Sequence, residues 1–299
     1  MNSEQALPQP QAIERHLRRL LAAPQAPWLH QEVAGRMAEK LSIILLQPTH
    51  LVDWWSELGG AQELLVRTYP KASTTRVEPN AHWLARAVQK TQQSWWAKWV
   101  KTHPGVEASL SAQVKSERAQ LVWANMVLHA ASNPLLEIQR WLQALTVDGF
   151  VMFSCLGPDS FRELRSLFVA LGWGLAAQPY TDMHDWGDML VEAGFADPVM
   201  DQESLTLTWA SAESLLADLR ALGGNAAAQR FNGLRSRAWR AALTEQLTQR
   251  LAGPDGRLKL TVELIYGHAF KPAPRARVQP ETRISVDQMR GMVRTPRSS

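Results

Sequence analysis

The reading of this chain turns on Leu51-Val52-Asp53-Trp54-Trp55-Ser56-Glu57-Leu58-Gly59-Gly60. An apolar run ends in a tight turn and passes into residues 61–69, which carry a helical pattern. Strand, turn and helix start make the half-unit that binds nucleotides in doubly wound α/β folds. In such turns the backbone approaches the ligand at glycines, because a side chain would occupy the ligand's space. Trp55 and Glu57 stand where the turn wants glycine. The stretch thus draws a nucleotide site and obstructs it.

Upstream, residues 12–21 and 29–46 read as amphipathic helices broken by Pro24 and Pro27. Pro48 leads into the first strand, at 50–54. Downstream, 74–78 reads as a second strand, and Pro79-Asn80 opens a helix from 81 to about 100. A weak strand follows at 106–110 and an apolar, central one at 120–125. Asn133-Pro134 starts a helix to 145, since proline suits the first turn. Asp148-Gly149 turns into a strand at 150–155. Helices at 159–171 and 185–193 follow, the second closed by Gly194. This alternation predicts a mostly parallel sheet covered on both faces. The ending differs: 198–200, 205–209 and 258–270 look extended, with helix at roughly 212–251 between them. An insertion so placed, above the ligand edge of a sheet, would act as a lid.

The 299 residues suffice for a large core, and 45% hydrophobic with 20% charged content is that of a soluble globular protein. One cysteine, Cys155, excludes an internal disulfide framework and fits a reducing compartment. No apolar run reaches the ~20 residues of a membrane span, and the polar first residues lack a signal-peptide core. A cytoplasmic protein is expected. The net charge of +4 resides in residues 275–299, whose six arginines face only Glu281 and Asp287. That tail is rich in Pro, Ser and Thr, so disorder is expected there. A neutral body argues against nucleic-acid binding.

Glu78 closes the second strand, where an acid can accept both ribose hydroxyls of an adenosine; a helix-capping acid is the alternative. Six of the 13 tryptophans fall between Trp54 and Trp99. They either stack on an adenine or fill a site without a ligand, and Trp95, Trp96 and Trp99 also suit an exposed helix face. In Asp182-Met183-His184-Asp185 a carboxylate could orient the His184 imidazole, or the cluster could cap a helix. His129 and His268 sit in apolar runs as core histidines. Arg230, Arg235 and Arg237 fall in the lid, where a planar guanidinium suits carboxylate recognition and a solvated face is the plain alternative. No His/Cys grouping has zinc spacing, so no metal is expected.

Several segments carry a resemblance. Asp182 to Asp185, Gly187-Asp188, 193–201 (Ala-Gly-Phe-Ala-Asp-Pro-Val-Met-Asp) and 205–208 (Leu-Thr-Leu-Thr) form one group. Leu121-Val122-Trp123-Ala124-Asn125, Gly157-Pro158-Asp159 and Tyr266-Gly267-His268-Ala269-Phe270-Lys271-Pro272 form another. From about Val33 to Pro272 the chain resembles the malonyl-ACP O-methyltransferases of biotin synthesis, a class I S-adenosylmethionine (SAM) family. The resemblance implies a Rossmann-like seven-stranded sheet. N-terminal helices would span 1–47, the methyltransferase-like domain 48–272 with a helical lid at 211–252, and a basic tail 273–299. It implies methyl transfer from SAM to the carboxylate of a malonyl thioester on an acyl carrier protein. Asp53, Gly59, Glu78 and Asn125 would contact the cofactor, and His184, Arg230, Arg235 and Arg237 the substrate. Two departures stand out beside Trp55 and Glu57: the acid after the third strand is absent near Ser109 to Gln113, and the family's Tyr-Asp falls on Ala23-Pro24. Two readings therefore stand together: a carboxyl methyltransferase, or a pseudoenzyme without cofactor that keeps the fold as a binding, assembly or regulatory module.

Overall fold

A computed structural model describes residues 10–93, 106–227, 229–231, 233–274 and 286. The expected first strand is β1 (His50–Trp54), buried at every position, as an apolar strand covered on both faces should be. It pairs in parallel with β2 (Ser73–Glu78) on one side and β4 (Ala119–Ala124) on the other. β2 continues in parallel to β3 (Val106–Leu110), and β4 to β5 (Leu145–Leu156). β7 (Leu258–Phe270) lies antiparallel between β5 and β6 (Ala196–Trp209). The result is a seven-stranded, mostly parallel sheet of order β3-β2-β1-β4-β5-β7-β6.

Successive side chains of a strand point to opposite faces, and the central strands divide their apolar residues accordingly. Leu51, Leu121, Trp123, Phe150 and Met152 join one buried cluster with residues of α2 (Trp28–Lys40), α4 (Gln62–Thr68), α7 (Arg162–Ala170), α9 (Ala212–Ala221) and α10 (Arg237–Leu251). Val52, Trp54, Val122, Val151 and Phe153 join the other, with residues of α1 (Pro10–Leu21), α5 (Ala81–Gln93), α6 (Pro134–Ala144) and α8 (Met183–Ala193). Local chemistry fixes the helix ends. The Asn133 side chain accepts a hydrogen bond from Leu136 N with Pro134 in the first turn. Gly194 closes α8 at a φ of 105° that a side chain would resist.

Several boundaries differ from the sequence expectation. The helix expected to 46 stops at Lys40 and tightens into a 3-10 turn at Leu41–Ile43. Ile43-Ile44 is a β-branched pair, which disfavours continued helix, and the Ser42 hydroxyl donates to Glu39 O. Asp148-Gly149 is a kink inside β5, not a turn before it. Asp148 adopts φ 63° while its N donates to Lys271 O and Lys271 N donates to Gly149 O, so pairing to the chain past β7 continues through the kink. The two extended pieces at 198–200 and 205–209 are a single edge strand, β6. The stretch 212–251 is two helices, α9 and α10, parted by a loop that holds Gly223 and Gly224 at φ 93° and 77°. The end of the helix expected to 100, Trp95, Trp96, Trp99 and the tail from 275 fall outside the described residues, Val286 apart. Among the described residues no helix is long and apolar enough to cross a membrane.

Candidate functional site

β1 delivers the chain to the turn at Trp55, whose N donates to Val77 O at 2.6 Å. Trp55 has φ 53° and ψ 50°, in the left-handed region. An L-residue there costs roughly 1–2 kcal/mol, where glycine is free of that cost. The turn therefore keeps a glycine's backbone and carries an indole on it. That indole is 4% exposed and belongs to a buried cluster with Leu58, Trp83 and Ile13, Leu17 and Leu20 of α1.

The next obstructing residue, Glu57, lies in the short helix α3 (Ser56–Gly59). The Glu57 side chain is fully buried, with its Oε2 2.8 Å from Arg86 Nε and 2.7 Å from Lys90 Nζ. Burying a carboxylate without cations would cost several kcal/mol, so the two α5 cations are what permit it. Arg86 also donates to the carbonyls of Leu21 and Ala23 at 2.7 Å and of Pro24 at 2.6 Å. One guanidinium thus joins the turn, α5 and the chain leaving α1. Sequence reading missed Arg86 and Lys90. Their i, i+4 spacing on the helix after Glu78 was the available signal.

Asp53, Gly59, Glu78 and Asn125 come together at the carboxyl ends of β1, β2 and β4; Asn125 and Glu78 Oε1 bond to the protein, whereas Glu78 Oε2 and both Asp53 carboxylate oxygens are buried with no hydrogen-bond partner. Glu78 Oε1 accepts from Glu57 N at 3.1 Å. Burial pushes the Glu78 carboxyl well up, and the nearby Glu57 and Asp53 charges add to that. Asp53 is pushed up to about 6 by burial, against the pull of the Ser56 hydroxyl and Arg76. Asn125 Nδ2 donates to His30 O and Gly59 O, both at 2.7 Å, while its Oδ1 accepts from Ser154 Oγ at 2.7 Å. Past β3, where an acid would meet an adenine, the buried Ser111 donates its hydroxyl to Glu78 O. In this arrangement the buried side chains of Trp55 and Glu57 stand at the positions where a glycine loop carries none.

The other candidates lie apart. His184 is exposed on the first turn of α8, where its N donates to the Asp182 side chain; the cluster is a helix cap. Arg230, Arg235 and Arg237 line a groove of about 590 Å3 with Arg220, Arg240 and the rings of Phe168, Trp173, Phe231 and Trp239, and no carboxylate lines it. The Arg235 guanidinium stacks 3.7 Å from the Phe231 centroid and 4.5 Å from that of Trp239, and donates to Trp173 O. Arg230 donates to Ala227 O. Among the described residues no group of three or more His, Cys, Asp or Glu could hold a metal ion.

No family model matches the chain. Among curated proteins it is 37% identical to the malonyl-[acyl-carrier protein] O-methyltransferase of Gallionella capsiferriformans, over 83% of this chain and 85% of that one. It is 36% identical to the protein of the same name from Laribacter hongkongensis, over 83% and 84%. Among solved structures, the YcgJ protein of Bacillus subtilis matches with a TM-score of 0.53 at 10% identity, over 82% of this chain and all of that one. A candidate methyltransferase of Bacillus halodurans matches at 0.52 and 16%, over 80% of this chain and all of that one. These structures share the fold; chemistry is argued from the site.

Proposed function

The chain belongs to the family of the malonyl-[acyl-carrier protein] O-methyltransferases, and from that premise we propose that it is a member that binds an acyl carrier partner without binding SAM. The observation that carries this reading is the Glu57 carboxylate, fully buried and held between Arg86 and Lys90. A cofactor entering there must displace a paired, desolvated charge and the Trp55 indole together. Partner binding is assigned to the groove between α9 and α10, where five arginines line the groove among aromatic rings and, among the described residues, no carboxylate lines it. Such a groove suits an acidic surface or a phosphorylated arm, since guanidinium pairs with phosphate and carboxylate in a planar fork. Residues 211–252 would then serve as a docking lid.

The enzyme reading keeps one specific support. The left-handed backbone at Trp55 and the acid at Glu78 both retain the shape of a cofactor turn. If α1 and the indole withdrew, transfer to a substrate carboxylate would need placement and no catalytic base. Calorimetric titration with S-adenosylhomocysteine separates the two, run beside a titration with malonyl-acyl carrier protein. No heat with the nucleoside and saturable binding of the carrier, weakened by Arg235→Glu, is the expected result. Micromolar binding of the nucleoside by the unmodified chain returns the enzyme reading.

A further inference from the structure

A second cavity lies beside the filled turn, lined from α1, α2, α7, α9 and the loops after β4 and α7, with a volume of about 80 Å3. One water needs some 10–15 Å3 of such space, so the chamber holds several waters or a small molecule. Among the described residues no Asp, Glu, Lys or Arg lines it. The nearest cations are spent on its rim, Arg19 donating to Gly223 O and Arg165 to Pro158 O.

Its polar side chains are those of His16, His30, His129, Gln178, Tyr180 and Asn225; His16 Nδ1 is buried with no hydrogen-bond partner, and Asn225 Nδ2 donates to Leu175 O. His30 Nδ1 lies 3.0 Å from Leu58 O, an acceptor only, so this nitrogen carries the proton and Nε2 is left as an acceptor. His129 Nδ1 accepts from Leu156 N, so its proton is on Nε2, which is a donor. Burial holds both rings neutral, His30 at about 4 and His129 well below its usual value. Gln178 is 8% exposed; its Nε2 donates to His129 O, and its Oε1 is buried with no hydrogen-bond partner. Leaving a buried carbonyl oxygen unpaired costs about 1–3 kcal/mol. Sequence reading treated His129 as a core histidine and did not single out His30 or Gln178.

We propose that this chamber is a binding site for a short-chain primary carboxamide. The ligand N–H groups are donated to Gln178 Oε1 and His30 Nε2, its carbonyl accepts from His129 Nε2–H, and its alkyl part lies among the aliphatic side chains of α2, α7 and α9. A carboxylate of the same shape has no donor for the two acceptors and no cation to offset its desolvation.

The test uses the full-length chain, isobutyramide and isobutyrate at pH 7.5, with the histidine ring resonances as readout. Saturable shifts of the His30 and His129 signals with the amide are expected, with at least tenfold weaker binding of the acid. Gln178→Met, which keeps length and removes the acceptor, should lower amide affinity at least tenfold. Equal binding of amide and acid, or ring signals unmoved by either, would overturn the proposal, the latter meaning that the chamber holds water only. Amide affinity unchanged in a folded Gln178→Met protein would overturn it as well. The comparison of the two ligands on the unmodified chain needs no variant to fold.

Discussion

Trp55 sets two residue-level energies against each other. Its left-handed backbone costs roughly 1–2 kcal/mol, whereas removing a buried tryptophan typically costs about 3–5 kcal/mol. Packing wins. Trp55→Gly combined with Glu57→Gly should therefore lower stability by about 1–4 kcal/mol in urea titration while opening the turn. We expect calorimetry to detect no S-adenosylhomocysteine binding by the parent chain and measurable binding by the double variant. A double variant as stable as the parent would show that the indole fills nothing. Asp53 provides a second test through pH. Its folded pKa of about 6 lies above the usual 3.8, so the folded state binds the proton more tightly and stability falls as pH rises from about 4 to 6. Asp53→Asn should then be more stable than the parent above pH 6, by at most about 3 kcal/mol. That advantage should vanish near pH 4. Chemical denaturation at pH 4, 6 and 8 checks the sign.

Among the elements, α1 is the one whose place the sequence did not reveal. Its apolar stripe was legible, and Ile13, Leu17 and Leu20 are buried as that stripe requires. Its partner was not legible, because the contacts with Trp55, the Arg86 clamp and the α9 loop join residues far apart in the chain. The β1 turn and the acid ending β2 were read correctly as local patterns. Pairing of Glu57 with Arg86 and Lys90 depends on how α5 lies on the sheet, which no local pattern encodes. The kink at Asp148 was misread for a similar reason: an Asp-Gly pair signals a turn, and only the chain past β7, hydrogen-bonded across it, keeps the strand continuous. The α9 loop offers a prediction at this scale. A Cβ on Gly223 would lie 2.3 Å from the His16 ring, at a φ of 93°. Gly223→Ala should loosen α1 from the loop and destabilise the protein by about 1–3 kcal/mol. Hydrogen exchange should quicken in α1 before it does in β1 or β4. Exchange unchanged in α1 would mean that the helix is held by the sheet alone.

Over the whole molecule, buried histidines dominate the acid response. His16 and His30 are held near pKa 4 and His129 well below its usual value, all chiefly by burial. These depressed values mean that the unfolded chain takes up protons that the folded one refuses, so stability is lost as pH falls from about 6.5 towards 4. His50 and His268 are lowered by burial as well, while the raised carboxyls of Asp53, Glu78 and Glu137 oppose this trend and are fewer than the five histidines. We expect net proton uptake on unfolding at pH 5.5, measurable by calorimetry in buffers of different ionisation enthalpy; net release would reverse the balance drawn here. Residues 275–299 carry the net charge and few apolar groups, so deleting them should leave the melting temperature nearly unchanged.

The conformation of Trp55 also bears on how readily the turn could change in descent. Because its backbone already stands where glycine stands, exchanging the residue requires no new path for the chain, only a smaller side chain. Tryptophan's codon and both glutamate codons lie a single base change from glycine. The turn therefore stands within two point mutations of a glycine-lined loop, with the backbone for that loop already folded.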